Sequence, residues 1–280
     1  MKVLITGGQG MLGRALQESF SSRHQVLALG KEKLDVTDLA AARRVVTEFE
    51  PSWILHAAAF THVDAAESET LEAYRVNALG SRNMAAVALD GGASIAYFST
   101  DYVFDGRGDR PYREWDSTNP INHYGKSKLA GEDFVRRLCP RHLVIRTSWL
   151  FGPGGANFIE KILSLAKQRG SLNVVNDQRG SPTYTADLAE TTMQLVESGA
   201  RGIYHCTNGE HCSWHELARE VLRQADLRTP VHPTTSSEFR SAAARPAFSA
   251  LDNFCLKLEG RRPLRPWPEA VAAYLAELHV

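Results

Sequence analysis

Tyr124 and Lys128 stand four residues apart in Asn122-His123-Tyr124-Gly125-Lys126-Ser127-Lys128. On a helix that spacing puts both side chains on one face, with their bases about 5–6 Å apart. A phenol with a pKa near 10 exchanges its proton poorly at neutral pH. An adjacent ammonium stabilises the phenolate, each unit of lowering being worth about 1.4 kcal/mol. The pair is a candidate proton-transfer couple. Upstream, an apolar run at 95–98 ends in Ser99-Thr100-Asp101-Tyr102. A hydroxyl at the carboxyl end of a strand can hydrogen-bond a carbonyl held beside the tyrosine. Asn77 reads either as a relay in the same site or as a polar residue that bends its helix.

A second constellation lies at the start of the chain. The strand-like run 3–6 enters Gly7-Gly8-Gln9-Gly10-Met11-Leu12-Gly13, and a helix is expected from about 14 to 20. Glycine allows the tight turn and the close approach of a pyrophosphate, and amides at the helix start then face the anion. Strand, turn and helix together point to a dinucleotide site. An acid about twenty residues on would hold the ribose of NAD, but the second strand ends in Leu29-Gly30-Lys31. The missing carboxylate and the ammonium of Lys31 favour the 2′-phosphate of NADP, unless Lys31 is simply a solvated lysine. Asp35-Val36 would lie beside the adenine, or Asp35 would cap the helix beginning near 38.

The elements that must hold these residues follow from the apolar runs. Runs at 3–5, 26–29, 53–55, 95–98 and 143–145 alternate with helical patterns such as 38–49 and 69–89. Apolar strands alternating with helices predict an α/β fold with a doubly wound parallel sheet of Rossmann type, ligands sitting at its carboxyl edge. Residues 1–150 are the expected dinucleotide-binding domain. Residues 151–280 are expected to form mainly a smaller C-terminal substrate-binding lobe, with some segments returning to the sheet. A helix at 157–167, a turn-rich loop at 177–182, a strand at 203–205, a helix capped by Ser213, loops over 226–262 and a closing helix at 268–278 complete the reading.

Lys+Arg and Asp+Glu number 32 each, so no net field recruits nucleic acid or an anionic membrane. No basic segment followed by an apolar run opens the chain, and no run of about eighteen apolar residues occurs. Cys139, Cys206, Cys212 and Cys255 form no disulfide framework. The cytoplasm is the expected compartment.

Taken together, these residues resemble the extended short-chain dehydrogenase/reductases that act on nucleotide sugars, and within them the dTDP-4-dehydrorhamnose reductases. The resemblance runs almost end to end, through MKVLITGGQGMLG, HAAAFTHVDAAESE, YFSTDYVFDG, NHYGKSKLAGE, IRTSWLFG, NDQRGSPTY and ARPAFSALDNFCL. The glycine turn and Tyr/Lys pair are shared by the whole superfamily, whereas STDYVF, RTSWLFG and NDQRGSPT are much more specific to the rhamnose branch. The resemblance implies reduction of a 4-keto-6-deoxy sugar on dTDP, with hydride from NADPH (NADH being possible) and a proton from Tyr124. It implies that Thr100 polarises the ketone and that Lys128 lowers the phenol pKa and holds the nicotinamide ribose. By the same likeness Val63, Thr100, Asp101, Tyr102 and Trp149 line the sugar–nucleotide pocket. Gly7, Gly10, Met11, Leu12, Gly13, Lys31, Asp35, Val36, Ala58, Ala59, Phe60, Thr61 and Phe98 meet the cofactor, with Tyr124 and Lys128.

This sequence departs from many relatives at two places. Gly30 stands where they carry an acid, and Ala15 stands where some carry a magnesium-binding Glu. No metal is therefore expected, and the expected state is a monomer or weak homodimer. His205-Cys206, His211-Cys212 and His215 match no tetrahedral zinc spacing. Arg179, Arg240 and Arg245 could meet a diphosphate, although each is also an ordinary surface or packing arginine. Asp105 and Asp109 flank a turn and need no catalytic role. Two other functions share the scaffold: a nucleotide-sugar epimerase or dehydratase with retained NAD, and a non-catalytic NADP-binding regulatory subunit. A lone acid at Thr100-Asp101-Tyr102 disfavours the dehydratase. The intact Thr100, Tyr124 and Lys128 disfavour the regulatory subunit.

Overall fold

Neighbouring residues along the apolar strands face opposite sides, and both sides are covered. Val3 and Ile5 pack on one face of the sheet and Leu4 on the other; Ala96 and Phe98 oppose Ile95 and Tyr97 in the same way. The computed structural model describes residues 1–239 and 241–279.

The first half runs β1 (Lys2–Thr6), α1 (Met11–Ser21), β2 (Gln25–Leu29), α2 (Leu39–Phe49), β3 (Trp53–His56), α3 (Ala65–Ser68) and α4 (Thr70–Tyr74). A π-helical stretch, Arg75–Gly80, leads into α5 (Ser81–Asp90), then β4 (Ser94–Thr100), α6 (His123–Leu138) and β5 (His142–Thr147). The second half runs β6 (Leu150–Phe151), α7 (Phe158–Gln168), β7 (Leu172–Val175), β8 (Arg179–Gly180), β9 (Thr183–Tyr184), α8 (Thr185–Glu197) and β10 (Gly202–His205). It closes with β11 (Cys212–Ser213), α9 (Trp214–Gln224), β12 (Val231–Thr234), α10 (Ser236–Phe239), α11 (Phe254–Leu258) and α12 (Trp267–Glu277).

Six strands form one parallel sheet in the order β10-β5-β4-β3-β1-β2. This is a doubly wound Rossmann-type sheet. The chain leaves β1 for β2 on one side and returns to β3 on the other, so the order reverses between β1 and β3. Ligands of such sheets bind in the crevice outside that reversal. Helices α1 and α8 cover one face, while α2, α5 and α6 cover the other. A separate apolar core joins α7, α9 and α12 with β6, β7 and β9. Segments after residue 150 serve both cores: α8 and β10 belong to the sheet.

Local signals explain several boundaries. Asp38 caps α2 by accepting from Ala41 N at 3.0 Å, and Ser213 with Glu216 forms a reciprocal capping box on α9. Asp35 is therefore not the cap; it closes its own turn by accepting from Thr37 N and Oγ1. Helix α1 begins at Met11, earlier than expected, because Gly10 already acts as its N-cap. No helix among the described residues is long and apolar enough to cross a membrane.

Candidate active site

The glycine turn sits where β1 ends. Gly7 has φ +68°, and a Cβ on Gly13 would come 2.1 Å from Gly7 O, so only glycine lets α1 start this close to the strand. Gly10 N donates to Gly7 O at 3.0 Å, while Gly10 places no side chain over the first amides of α1. The amides of Met11, Leu12 and Gly13 thus lie at a helix N-terminus with no side-chain cap, which suits an anion such as a diphosphate. Leu12 buries its side chain in the core and offers only backbone here. The residues fit a dinucleotide. At the end of β2, Lys31 is exposed. Asp35 is half-buried, and Thr37 holds its carboxyl below the usual range. Val36 turns into the core, and its carbonyl accepts from Asn83.

Tyr124 and Lys128 lie on the first turns of α6, whose start is fixed by Asn122: its Oδ1 accepts from Gly125 N at 2.7 Å and its Nδ2 donates to Ala244 O at 2.8 Å. Gly125 brings the helix against the backbone of Tyr102, since a Cβ there would meet Tyr102 O at 2.1 Å. The rings of Tyr102 and Tyr124 meet edge to face at 5.9 Å. Thr100, at the carboxyl end of β4, is buried beside them. Its hydroxyl donates to Asp101 Oδ1 and accepts from Tyr102 N at 3.2 Å, and its nearness to the Tyr124 phenol favours the phenolate. Lys128 is also buried, donating from Nζ to Phe98 O at 2.7 Å and lying 4.2 Å from the centre of the Tyr97 ring. Phe98 contributes that carbonyl, because its ring packs into the core.

Where the sequence predicts an ammonium that draws the phenol down, burial instead pushes Tyr124 up to about 12, against the lowering by Thr100. Burial also pushes Lys128 down to about 7, with Glu132 opposing. The physical reason is desolvation: both charged forms lose water at the covered sheet edge, and Lys128 directs its charge at a carbonyl and an aromatic face.

The loop after β3 brings Ala58, Ala59, Phe60 and Thr61 to the same crevice. Asn77, in the π-helical stretch, holds this loop: its Oδ1 accepts from Phe60 N at 2.8 Å and its Nδ2 donates to Phe60 O at 3.0 Å. The same Nδ2 donates to Ser127 Oγ at 2.9 Å, and Ser127 donates to Tyr124 O at 2.7 Å. Asn77 thereby joins the loop to the helix of Tyr124. Farther along α6, buried Glu132 takes two bonds from Arg146 of β5, at 3.0 and 2.8 Å.

On the other side of Thr100 lies Asp101, also buried, accepting from Thr100 Oγ1 at 3.1 Å and from Ser249 Oγ at 2.5 Å. Burial pushes its carboxyl up to about 7. Ser249 belongs to a late segment that crosses back to the sheet edge, and no local signal marks it for this site. Val63 is half-buried just ahead of α3. Trp149 has φ +47° and stacks on Trp214 with ring centres 3.5 Å apart, a partner the sequence did not reveal.

The remaining candidates have structural partners. Arg245 pairs with Asp64 through two bonds, and Arg179 pairs with Glu216. Arg240 lies outside the described residues. Cys206 belongs to the sheet core and Cys212 to the lobe core, while His205 Nδ1 donates to Tyr112 O and His215 Nε2 to Val231 O. Asp105 organises its turn through Arg107 N, Tyr112 and Asn119.

This arrangement has close counterparts. The chain is 41% identical over 277 residues to the spore coat polysaccharide biosynthesis protein SpsK of Bacillus subtilis, covering 99% of this chain and 97% of that one. It is 42% identical over 276 residues to a dTDP-4-dehydrorhamnose reductase of Streptomyces griseus, covering 96% and 91%. The crystal structure of dTDP-4-dehydrorhamnose reductase from Bacillus anthracis in complex with NADP is 40% identical and superposes with a TM-score of 0.97, covering 99% of each chain. A glycine turn, a covered Tyr–Lys helix and full-length likeness to these proteins agree with the family described as RmlD substrate binding domain, which matches residues 1–280: the chain belongs to that family.

Proposed function

We propose that the protein reduces the C4 ketone of dTDP-4-dehydro-L-rhamnose to give dTDP-L-rhamnose. The bound cofactor, NADPH with NADH as an alternative, supplies the hydride. The observation that carries this reading is the meeting of Thr100, Tyr124 and Lys128 at the carboxyl end of β4, beside the glycine turn.

Each residue has a part its environment supports. Thr100 lies beside the Tyr124 phenol and can polarise a ketone oxygen placed between them. A phenol held up at about 12 remains protonated at neutral pH, which is the state a proton donor requires. The alkoxide left after reduction of a ketone is a far stronger base than a phenolate, so transfer from Tyr124 Oη runs downhill. Lys128 is oriented by Phe98 O and can hold a ribose hydroxyl. The backbone amides of residues 11–13 would bind the diphosphate, and the exposed Lys31 would meet a 2′-phosphate. Val63, Asp101, Tyr102 and Trp149 would line the side that receives the nucleotide sugar.

Loss of nicotinamide absorbance tests the reading. NADPH mixed with the protein and dTDP-4-dehydro-L-rhamnose should be consumed one for one with substrate. Tight NADPH binding without consumption would overturn it in favour of a regulatory subunit, and sugar turnover without net cofactor loss in favour of an epimerase. Tyr124→Phe should lower the rate by about 10²–10⁴-fold while NADPH affinity stays within roughly twofold.

A further inference from the structure

Beneath the carboxyl edge of the sheet runs a chain of buried side chains that the proposed chemistry does not use. Thr6 Oγ1 lies 2.7 Å from His56 Nδ1, His56 Nε2 lies 3.1 Å from Ser81 Oγ, and Ser81 Oγ donates to Asn77 O at 2.6 Å. All four residues are buried.

Every proton in this chain can be assigned. A carbonyl only accepts, so the single hydrogen of the Ser81 hydroxyl points at Asn77 O. Ser81 Oγ therefore offers a lone pair to His56, and the hydrogen between them belongs to Nε2. A neutral ring protonated at Nε2 is an acceptor at Nδ1, so Thr6 must donate there. Thr6 Oγ1 in turn accepts from Ala58 N at 3.3 Å, the first residue of the cofactor loop assigned above. The bonds run in one direction from Ala58 to Asn77.

The elements joined are those the site needs in register. Thr6 immediately precedes the glycine turn, His56 ends β3 just ahead of the loop, and Asn77 grips Phe60 and Ser127. Ser81 bonds the carbonyl four residues back, where the helix passes through its π-helical stretch.

We propose that Thr6, His56 and Ser81 form a one-way hydrogen-bond lock in which His56, held as the neutral Nε2–H tautomer, is a positioning residue. It sets loop 58–61 and the glycine turn against the helix of Tyr124. The charged groups around the ring oppose its protonation. Burial is the larger cause and the Lys128 ammonium on α6 the second, together pushing His56 down to about 3. From β4 the Tyr97 ring faces it at 5.8 Å, its hydroxyl committed to Lys128 O. A protonated ring would present Nδ1–H to Thr6 Oγ1 and deprive the Thr6 hydroxyl hydrogen of its acceptor.

The effect on cofactor binding rests on the dinucleotide reading; the lock itself does not. The ring nitrogens of His56 in the full chain, followed by ¹⁵N NMR and assigned against His56→Leu, should show the Nε2–H tautomer unchanged from about pH 5 to pH 9. The Nδ1–H tautomer, or titration inside that range, would overturn the lock whatever the protein's activity. His56→Leu should weaken NADPH binding about tenfold at a temperature where the variant is folded, and the near-isosteric Thr6→Val about threefold. If His56→Leu does not fold, Thr6→Val decides. A lowered Tm with unchanged NADPH affinity would reduce His56 to a structural residue. A wild-type chain with no NADPH affinity would overturn the positioning role together with the dinucleotide reading, leaving the ring spectrum to judge the lock.

Discussion

The edge of the parallel sheet and the core of the small lobe bury side chains of opposite kinds. Under the sheet edge lie Thr6, His56, Asn77, Ser81, Asp101, Ser127, Lys128 and Glu132, nearly all in directed hydrogen bonds. The lobe core is built from Ile159, Ile162, Leu163, Leu217, Val221, Trp267 and Val271, with few polar atoms. Its tyrosines reach carbonyls or carboxylates with their hydroxyls, as Tyr274 does at Gly152 O. Apolar burial is non-directional and stabilises in proportion to area. Buried polar groups contribute little net stability and cost much when one partner is lost, but they define atomic positions. Stability in the lobe and geometry at the sheet edge are therefore carried by different forces.

Substitutions that separate the two regions sharpen this contrast. Removing one charge of the Glu132–Arg146 pair leaves the other buried and uncompensated, so Glu132→Gln should cost about 3–5 kcal/mol in denaturant unfolding. Leu217→Ala in the lobe should cost roughly 2–5 kcal/mol through its cavity. Their functional signatures should differ. Glu132 opposes the lowering of Lys128, so its loss should take Lys128 below about 7 and move any alkaline decline in turnover to lower pH. Leu217→Ala should leave the pH profile where it is. Equal profiles for both variants would break the contrast.

An effect of similar size, but one that appears only with pH, is expected at Asp101. Its folded pKa, about 7, lies above the ordinary 3.8, so the stability it contributes is fully present below about 4 and lost as pH rises through 7. Asp101→Asn removes that dependence. The variant should gain on the wild type by on the order of a few kcal/mol between pH 4 and pH 8, read by unfolding at both values. A constant difference across the range would show that the carboxyl is not buried as described. The smallest effect belongs to the exposed Lys31. Lys31→Ala should raise the KM for NADPH about fivefold and leave that for NADH unchanged. Equal changes for both cofactors would remove Lys31 from the 2′-phosphate site.

Much of the fold was legible because it repeats a simple pattern. Apolar strands between helices require a sheet covered on both faces, and the glycine turn marks the end of β1. Tyr124, Lys128 and Thr100 were legible because a spacing of four and a strand end are local features. Ser249 and Trp214 were not, since each reaches the site from a distant segment. The sign of the electrostatics at Tyr124 was not legible either, because spacing shows which charge is near but not how much water has been removed.

The amino-acid order by itself determined the strand–helix alternation, the tight turn before α1 and the helical face shared by Tyr124 and Lys128, all of which arise from steric and periodic constraints within a few residues. Only the tertiary structure decided that Lys128 points at Phe98 O, that burial outweighs charge at the phenol, and that His56 is a directed link between β1 and α5. Those outcomes depend on desolvation and on which donor meets which acceptor, and both are set by packing between segments far apart in the chain.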